Sequence, residues 1–406
     1  MKTITQNIKN LNKSQFKLLF DYSKHSNSLY NCILWTINEY YKETGKYLNY
    51  NKLYHIIKTN EHYRVMPLKI SAQILRLADK NYRSFFALLN RKNKGQYAGI
   101  INTPKYRKKG DLFLLILPVD QIILKNNILK ITKNIKLPFN YKIDGKIRQA
   151  IIKWTGYNFK IYIQYEESKK ENNYELNENN NLSIDLGINN LASCFSNVGS
   201  SFIVNGKPLK SYNKYYNKRK AEIQSELKIS NNKHWSNKLS RLTNNRYFWI
   251  DNYFNQSISI IIKYCLKYKI KNLIIGYNET WKQNINIGRV NNQKFNSIPY
   301  YLFKRKLENK CKEYDINFIL TEESYTSKCS FLDNEEIIKK DNYLGKRIQR
   351  GLFKSQSGKL LNADINGAAN IMRKVFPNIS YSEIDGIEAF IVKPLMYNFY
   401  TYKTII

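Results

Sequence analysis

The sequence has little of what would let thiols, histidines or a membrane anchor define its function. Its five cysteines are scattered and no two form a Cys-x-x-Cys pair, so neither a disulfide framework nor a four-thiolate zinc site is predicted. The four histidines show no spacing suited to a metal site or a nucleophile–base pair. No apolar run reaches about 18 residues and no signal peptide is recognisable, so we expect an intracellular protein without a membrane partner. If the protein is an enzyme, carboxylates must carry its chemistry.

Acidic residues are scarce relative to basic ones. The chain of 406 residues has 67 Lys and Arg against 31 Asp and Glu, which gives a formal net charge of +36. An excess of that size indicates a polyanionic partner, and 33 Tyr and 19 Phe supply faces on which bases can stack. The length exceeds one ordinary domain, so we expect two or three.

The first part of the chain changes from helical to β patterning. Apolar spacing predicts helices over about 14–44, ending near Gly45, and over about 67–91. From Thr103 onward, short β-prone runs separated by turn residues predict a small β-barrel or sandwich. These runs are Leu112–Leu117, Gln121–Leu124, Ile128–Ile131, Ile135–Leu137, Ile147–Lys153 and Phe159–Tyr165. A polar segment from Ser168 to Asn181 follows, and we interpret it as a linker between domains.

The second part alternates strands with helices. The predicted strands are 182–187, 190–196, 200–205, Asn272–Gly276 and Asn317–Thr321, and the predicted helices are 208–228, 246–269, 299–313 and Ile365–Val375. Three strands in a meander, followed by alternating helices and strands, predict an α/β core with a mixed sheet. The tail after Pro377 is β-prone in its last part and receives no predicted role.

Two aspartates stand at positions where the backbone would fix them. Asp185 ends an apolar strand that turns at once through Gly187, and Asp364 precedes a run of small residues that starts a helix. An Asp before a helix is commonly only an N-cap, which is the plain alternative for Asp364. An Asp on a first strand, an acid near a later strand and an Asp beside the last helix form the pattern of ribonuclease-H-like nucleases. In these enzymes several carboxylates hold two Mg²⁺ ions.

Four stretches resemble the TnpB family, the transposon-encoded RNA-guided nucleases related to the type V CRISPR effectors. They are Ser183–Ala192 (SIDLGINNLA), Ile275–Gln283 (IGYNETWKQ), Glu322–Lys328 (EESYTSK) and Asn362–Ile371 (NADINGAANI). Their order and spacing cover residues 182 to about 375, whereas the preceding half matches only in outline. The resemblance implies an RNase H-like (RuvC) nuclease core with an N-terminal helical recognition (REC) domain and a β-barrel wedge (WED) domain.

The resemblance also implies a domain plan and an activity. The expected domains are a wedge barrel from 1–14 and 103–168, a helical recognition domain over 15–102, a RuvC-like domain over 182–376 with a nucleic-acid-binding insert at 324–361, and a tail over 377–406. The implied activity is cleavage of double-stranded DNA beside a short flanking motif. A guide RNA from the transposon end would read the target by base pairing, in the cytoplasm of a prokaryote and at its nucleoid. The oligomeric state is not predicted.

One departure from the family concerns the middle acid. Gly276 stands where many relatives have the middle catalytic glutamate, but some branches place this acid just ahead of the Tyr-Thr-Ser segment, where Glu323 lies. Because successive side chains of a strand face opposite sides, only one of Glu322 and Glu323 should point at the metals, and Glu323 is preferred for its place two residues before Tyr325. Glu279 is the third candidate, ranked lower because the turn after its strand should carry it away. The predicted catalytic and metal-binding residues are therefore Asp185, Glu323 and Asp364, with two Mg²⁺ ions. Because Gly276 also suggests a dead site, the alternative is a nuclease-inactive RNA-guided DNA-binding repressor, and a transposase that joins DNA ends is a third, less favoured hypothesis.

A second departure is the zinc ribbon that many relatives have after the Thr-Ser segment. Only Cys329 is present between 324 and 361, so we predict no structural zinc. Asn366 and Asn370 are interpreted either as orienting Asp364 or as capping its helix. The predicted nucleic-acid-binding residues are Lys105, Arg107, Lys108, Lys218, Arg219, Trp281, Lys282, Tyr325, Lys328, Arg347 and Arg350. A solvated surface is the ordinary alternative for such basic residues.

Overall fold

The computed structural model describes residues 1–132, 135–167, 174–231, 234–277, 297–379 and 393–399. Two compact units make up the chain, Met1–Lys170 and Glu171–Ile406. The boundary falls within the polar segment that begins at Ser168. None of the described helices combines the length and the apolar character that crossing a membrane requires.

The first unit contains four helices. They are α1 (Lys13–Thr44), α2 (Tyr50–Ile57), α3 (Glu61–Val65) and α4 (Leu68–Asn93). Helix α1 begins after Asn12, whose side chain accepts a hydrogen bond from the Gln15 amide, and ends at Gly45 with φ 65°, a left-handed conformation that favours glycine. The predicted helix over 14–44 and its end near Gly45 are thereby confirmed. The short α2 and α3 were not predicted, because so few residues carry little periodic signal.

The strands of the first unit form two antiparallel sheets. They are β1 (Lys2–Asn7), β2 (Leu115–Pro118), β3 (Ile122–Lys125), β4 (Ile128–Ile131), β5 (Ile135–Pro138), β6 (Gly145–Trp154) and β7 (Phe159–Glu167). One sheet has the order β1-β7-β6-β2 and the other β3-β4-β5. The β-prone runs from 112 to 165 therefore become strands within a few residues of their predicted bounds, although the described strands pair as two sheets rather than one closed barrel.

The second unit is built around a six-stranded sheet. Its strands and helices are β8 (Asn177–Asp185), β9 (Asn190–Ser196), β10 (Phe202–Asn205), α5 (Lys207–Asn231), α6 (Asn237–Lys267), β11 (Ile270–Tyr277), α7 (Tyr300–Glu313), β12 (Asn317–Glu322), β13 (Lys346–Gln349), β14 (Leu352–Lys354), β15 (Leu360–Asn362), α8 (Ala363–Val375) and β16 (Leu395–Tyr397). The strand order in the large sheet is β12-β11-β8-β9-β10-β16. Strand β11 is parallel to β8 and β12, whereas β9 is antiparallel to its neighbours, so the predicted mixed sheet is confirmed.

Strand β8 starts earlier than predicted, inside the segment interpreted as linker. Asn181 pairs with Asn272 of β11, and the Asn272 amide donates to the Asn181 side chain at 3.0 Å. Both residues are buried. The side-chain amide of Asn272 also donates to the Glu178 carbonyl, and that of Asn181 donates to the Asn179 carbonyl. These bonds satisfy both side chains inside the sheet and allow an asparagine-rich stretch to form a strand despite its low β propensity.

The topology brings three chain segments to one edge of this sheet. Strands β8, β11 and β12 run parallel, so their carboxyl ends meet at the same edge, where open α/β sheets bind their ligands. Helix α8 packs on β8, and the Ser183 hydroxyl donates to the Ala368 carbonyl at 2.6 Å. The small buried residues of the helix, Gly367 to Ala369, permit this close approach. The three-stranded sheet β13-β14-β15 leads directly into α8.

Candidate carboxylate site

Asp185 at the end of β8 and Asp364 in the first turn of α8 line one cavity of about 200 Å³. Asn190, which also lines it, donates from Nδ2 to Oδ2 of Asp364 at 2.6 Å. The cap of α8 is Asn362, whose Oδ1 accepts from the amides of Asp364 at 3.0 Å and Ile365 at 3.2 Å. The interpretation of Asp364 as only an N-cap is therefore wrong, and its carboxylate faces the cavity instead.

The side chain of Glu323 occupies the space over Gly276. A Cβ atom at Gly276 would lie 3.0 Å from Oε2 and 3.2 Å from Cβ of Glu323. Glu322 is turned elsewhere, since Lys374 Nζ donates to its Oε2 at 2.8 Å and the Ser324 amide donates to its Oε1 at 2.7 Å. A carboxylate from the residue that follows β12 therefore lies over Gly276 in β11, the position at which the family resemblance led us to expect a glutamate.

The charge state of Asp185 reflects these neighbours. Burial raises the pKa of the Asp185 carboxyl well above its usual range, and the nearby charges of Glu323 and Asp364 raise it further, while Arg347 opposes the change. A Cβ at Gly367 would lie 2.8 Å from Asp185 Oδ2, so only glycine leaves room for the carboxylate there. A half-buried acid beside two other acids ionises readily only when a cation joins them, which is typical of a functional site.

A tyrosine fixes the loop that follows Asp185. The Tyr300 hydroxyl at the start of α7 donates to the Gly187 carbonyl at 2.9 Å. Burial and the nearby Asp185 raise the pKa of Tyr300, so the phenol remains a neutral donor. This contact joins residues 113 positions apart, so no local pattern could predict it.

Two buried asparagines of α8 hold the turn that follows Glu323. Asn366 Nδ2 donates to the Cys329 carbonyl at 2.8 Å. Asn370, one turn later, donates to the carbonyls of Thr326 at 2.9 Å and Cys329 at 2.7 Å. Neither predicted role for the asparagines, orienting the acid of this helix or capping it, is found. They instead tie the end of β12, and so the backbone that carries Glu323, to the helix that carries Asp364.

A buried carboxylate organises the insert at 324–361. Glu335 accepts hydrogen bonds from the amides of Ser330 at 2.8 Å and Leu344 at 3.1 Å, and its side chain is fully buried. The Cys329 thiol donates to a backbone carbonyl at 3.5 Å. A lone thiol engaged in this way does not fit a zinc ribbon, which needs four ligands, and hydrogen bonds to Glu335 connect the loop instead.

The donor set at the sheet edge does fit Mg²⁺. Three carboxylates are the hard oxygen ligands that this ion prefers, and the glycines at 276 and 367 clear space beside two of them. In the described parts of the chain, however, no three His, Cys, Asp or Glu side chains converge closely enough to hold one ion. Asp364 is engaged with a protein cation, since Arg347 Nη2 donates to its Oδ1 at 2.9 Å.

The predicted nucleic-acid-binding residues of the first unit differ in whether their charged groups already have partners within the protein. Lys105 and Lys108 are exposed. The Arg107 guanidinium donates from Nε to Asn27 Oδ1 at 3.0 Å and lies 4.3 Å from the centre of the Phe113 ring. Arg107 thus helps to hold its own loop against α1, so its guanidinium is less available to a phosphate than those of its neighbours.

The remaining predicted contacts belong to the second unit. Lys218, Lys328 and Arg350 are exposed and Tyr325 is half-buried, whereas Arg219 forms an ion pair with Glu222 and Arg347 forms one with Asp364. Trp281 and Lys282, together with the third glutamate considered, Glu279, lie outside the described residues. Arg219 and Arg347 are exposed as well, but their guanidinium groups already have a carboxylate partner.

Comparison with known proteins places this arrangement in a family. The OrfB_IS605 family model, described as a probable transposase, matches residues 162–282, and the Cas12f1-like TNB domain model matches residues 300–371. TnpB-like protein ORF457 of Acidianus two-tailed virus is 25% identical over 356 residues, which cover 76% of this chain and 73% of that protein. A cryo-EM structure of a Cas12f1–sgRNA–target DNA complex matches with a TM-score of 0.56 and 16% identity, over 88% of this chain and 82% of that one.

The fold is therefore that of the Cas12f1 class of proteins. The mixed sheet and the acids at its edge lie in the part of the chain that the two family models match between them. Within that class, the two family models, the TnpB-like relative and the fold together support a TnpB-family protein.

Proposed function

We propose that this protein is a transposon-associated, RNA-guided endonuclease that cleaves double-stranded DNA next to a short flanking motif by Mg²⁺-dependent hydrolysis. Similarity to the TnpB family supports the general class. The Cas12f1 of similar fold was solved with an sgRNA and target DNA, which supports a guide RNA and a DNA target as partners here. A net charge of +36 suits a protein that must grip two nucleic acids by their backbones.

One observation carries the proposal: Glu323 reaches over Gly276 toward Asp185, and Asp185 shares its cavity with Asp364. These three residues would hold the Mg²⁺ ions, which when bound supply an activated water and stabilise the leaving oxygen of a phosphodiester. The chain itself contributes the arrangement of the acids. Tyr300 fixes the loop behind Asp185, and Asn370 fixes the turn behind Glu323.

Gly276 also motivates the second candidate function, a nuclease-inactive RNA-guided repressor. A dead site would follow if the loss of the acid at this position were uncompensated. The position of the Glu323 carboxylate, 3.0 Å from where a Gly276 side chain would begin, favours the nuclease over the repressor.

The test uses the full chain purified with its co-expressed RNA. A plasmid library that carries a matched target beside randomised flanking sequence is incubated with this complex and Mg²⁺. We expect linear products enriched in one flanking motif, lost on chelation and in the Asp185→Ala variant. Binding of matched DNA with no cutting, unchanged by Asp185→Ala or Asp364→Ala, would instead favour the repressor.

A further inference from the structure

Both carboxylate oxygens of Asp364 have protein partners. Arg347 Nη2 donates to Oδ1 at 2.9 Å, and Asn190 Nδ2 donates to Oδ2 at 2.6 Å. Asn190 is the first residue of β9 and belongs to the large sheet, whereas Arg347 lies on β13 in the small sheet. The carboxylate is thus held between the sheet that carries Asp185 and the insert that precedes α8.

The Arg347–Asp364 pair is accessible to solvent. The Arg347 side chain is 49% exposed and that of Asp364 is 34% exposed. Ion pairs with this much exposure change an equilibrium constant by no more than a factor of about five, because water and salt compete for both partners. A stronger ligand for either group can therefore separate them.

Arg347 is surrounded by other exposed basic residues. Lys346 precedes it on β13, Arg350 lies in the turn to β14, and Lys354 ends β14. A phosphate that approached this hairpin would meet several cations at once. A guanidinium binds phosphate through paired hydrogen bonds, as it does carboxylate, so phosphate competes directly with Asp364 for Arg347.

The state of the acids agrees with a site that is not yet assembled. Asp185 and Asp364 line the same cavity, yet no three acidic, histidine or cysteine side chains of the described segments are close enough to hold an ion. Among the contacts of Asp364, the one with Arg347 is the contact that a metal ion would have to replace, since it brings a positive charge to the same oxygen.

We propose that Arg347 is a substrate-sensing residue. Without nucleic acid it pairs with Asp364, and when a phosphate of the bound nucleic acid takes its guanidinium, Asp364 is released to complete the metal-binding set with Asp185 and Glu323. Metal binding at the site is then coupled to the arrival of the substrate. This inference rests on the proposed function, because it requires that Asp364 binds a metal ion.

The first experiment measures Mn²⁺ binding to the full chain without DNA, from the loss of the free-ion signal in electron paramagnetic resonance. Arg347→Gln is expected to tighten Mn²⁺ binding about three- to fivefold relative to the unaltered chain. The gain should vanish in the double variant Arg347→Gln/Asp364→Asn. Lys339→Gln removes one positive charge from an exposed side chain of the same insert that has no role in either site, and it should leave Mn²⁺ binding within about 1.5-fold.

The second experiment adds a short DNA duplex, with the same duplex plus Asp364→Asn protein as the reference for Mn²⁺ held by the DNA itself. DNA should tighten Mn²⁺ binding to the unaltered chain about as much as Arg347→Gln does, and should add little to that variant. Arg347→Lys, which keeps the charge but not the paired hydrogen bonds, should lie between the two. If Arg347→Gln lowers the melting temperature, Arg347→Lys replaces it as the variant whose Mn²⁺ affinity is compared with that of the unaltered chain.

The outcomes separate the two ideas. If Asp364→Asn weakens Mn²⁺ binding but Arg347→Gln behaves as Lys339→Gln does, the sensing role is overturned and the metal site stands. If Asp364→Asn leaves Mn²⁺ binding unchanged, the proposed function is overturned, and the inference with it.

Discussion

The two sides of the cavity handle negative charge in different ways. On the inner side, Asp185 is desolvated, stands near Glu323, and has a raised pKa. On the outer side, Asp364 is about one-third exposed and already has a cation at hydrogen-bond distance in Arg347. Repulsion between Asp185 and Glu323 therefore favours the binding of a cation, whereas the charge of Asp364 is already balanced by Arg347. Under the proposed function, Asp185 and Glu323 are required for metal binding, and the Arg347–Asp364 pair controls at what stage the metal site becomes complete.

The largest effect is expected at the inner side, where two adjacent glutamates can be compared. Glu323→Gln should reduce DNA cleavage by about a thousandfold, because a lost metal ligand removes several kcal/mol of transition-state stabilisation. Glu322→Gln should change cleavage by less than about threefold, since that carboxylate binds Lys374 and Ser324 instead. Single-turnover rates of the RNA complex on a matched plasmid measure both. Equal losses would remove the distinction between the two faces of the strand end.

Substitution of Gly276 would move the Glu323 carboxylate without removing it, so a smaller effect is expected. A methyl group at Gly276 would lie 3.0 Å from Glu323 Oε2 and 2.5 Å from the end of the flexible Ile371 side chain. Gly276→Ala should therefore displace the carboxylate and slow cleavage about 10- to 100-fold, with a higher Mg²⁺ concentration at half-maximal rate. Cleavage within about twofold of the unaltered chain would mean that the position over Gly276 does not matter.

The raised pKa of Asp185 predicts a stability effect with a definite sign. In the folded, metal-free chain this carboxyl holds its proton at pH values where the unfolded chain has lost it, so stability falls as the pH rises above the unfolded value of about 4. Asp185→Asn cannot lose a proton and should stabilise the chain in chelator at pH 7 by roughly 1 kcal/mol or more. Thermal unfolding at pH 5 and pH 7 measures the difference, which should shrink at the lower pH. A destabilised variant would contradict the burial cost assigned to this acid.

A histidine pair in the first unit supplies the opposite sign and the smallest effect. His25 Nδ1 and His62 Nδ1 lie 3.1 Å apart, and burial lowers the pKa of His62, with His25 adding to the shift and Glu61 opposing it. The folded chain favours neutral His62, so this contribution is present above about pH 6.5 and is lost as the pH falls below it. His62→Gln should flatten that dependence by less than about 1 kcal/mol. Urea unfolding of the first unit between pH 5 and pH 7.5 tests it, with the exposed Lys58→Gln as control.

The elements of the second unit were predictable because their signals are local. Residues adjacent in sequence show the apolar runs of strand length that end in Asp185 or Gly276. They also show the run of small residues at which the last helix starts. The register that places Gly276 opposite Thr321 of β12, and Ile275 before it opposite Ile184 of β8, depends on pairing between distant strands. Sequence could therefore name Glu323 as a possible acid, but it could not show that its side chain fills the space above the glycine.

Side-chain contacts over long separations were the part that sequence could not supply. Arg107 and Arg347 belong to similar basic clusters, yet one holds its loop through Asn27 and the other pairs with Asp364. Nothing in local composition distinguishes them, because the partner of each comes from another element. For the same reason the buried asparagines of α8 were assigned the wrong tasks, since their acceptors are carbonyls 37 to 44 residues away.

The outermost strand of the large sheet has a consequence for how the protein is made. Strand β16 pairs in parallel with β10, and the Asn205 side chain donates to Asn398 across 193 residues of chain. At roughly 5–20 residues per second of synthesis, the edge of β10 waits on the order of 10–40 s for this partner. Until then, a nascent chain presents an open strand edge to its neighbours on the same messenger. Early engagement of a chaperone at β10 would protect the second unit during translation.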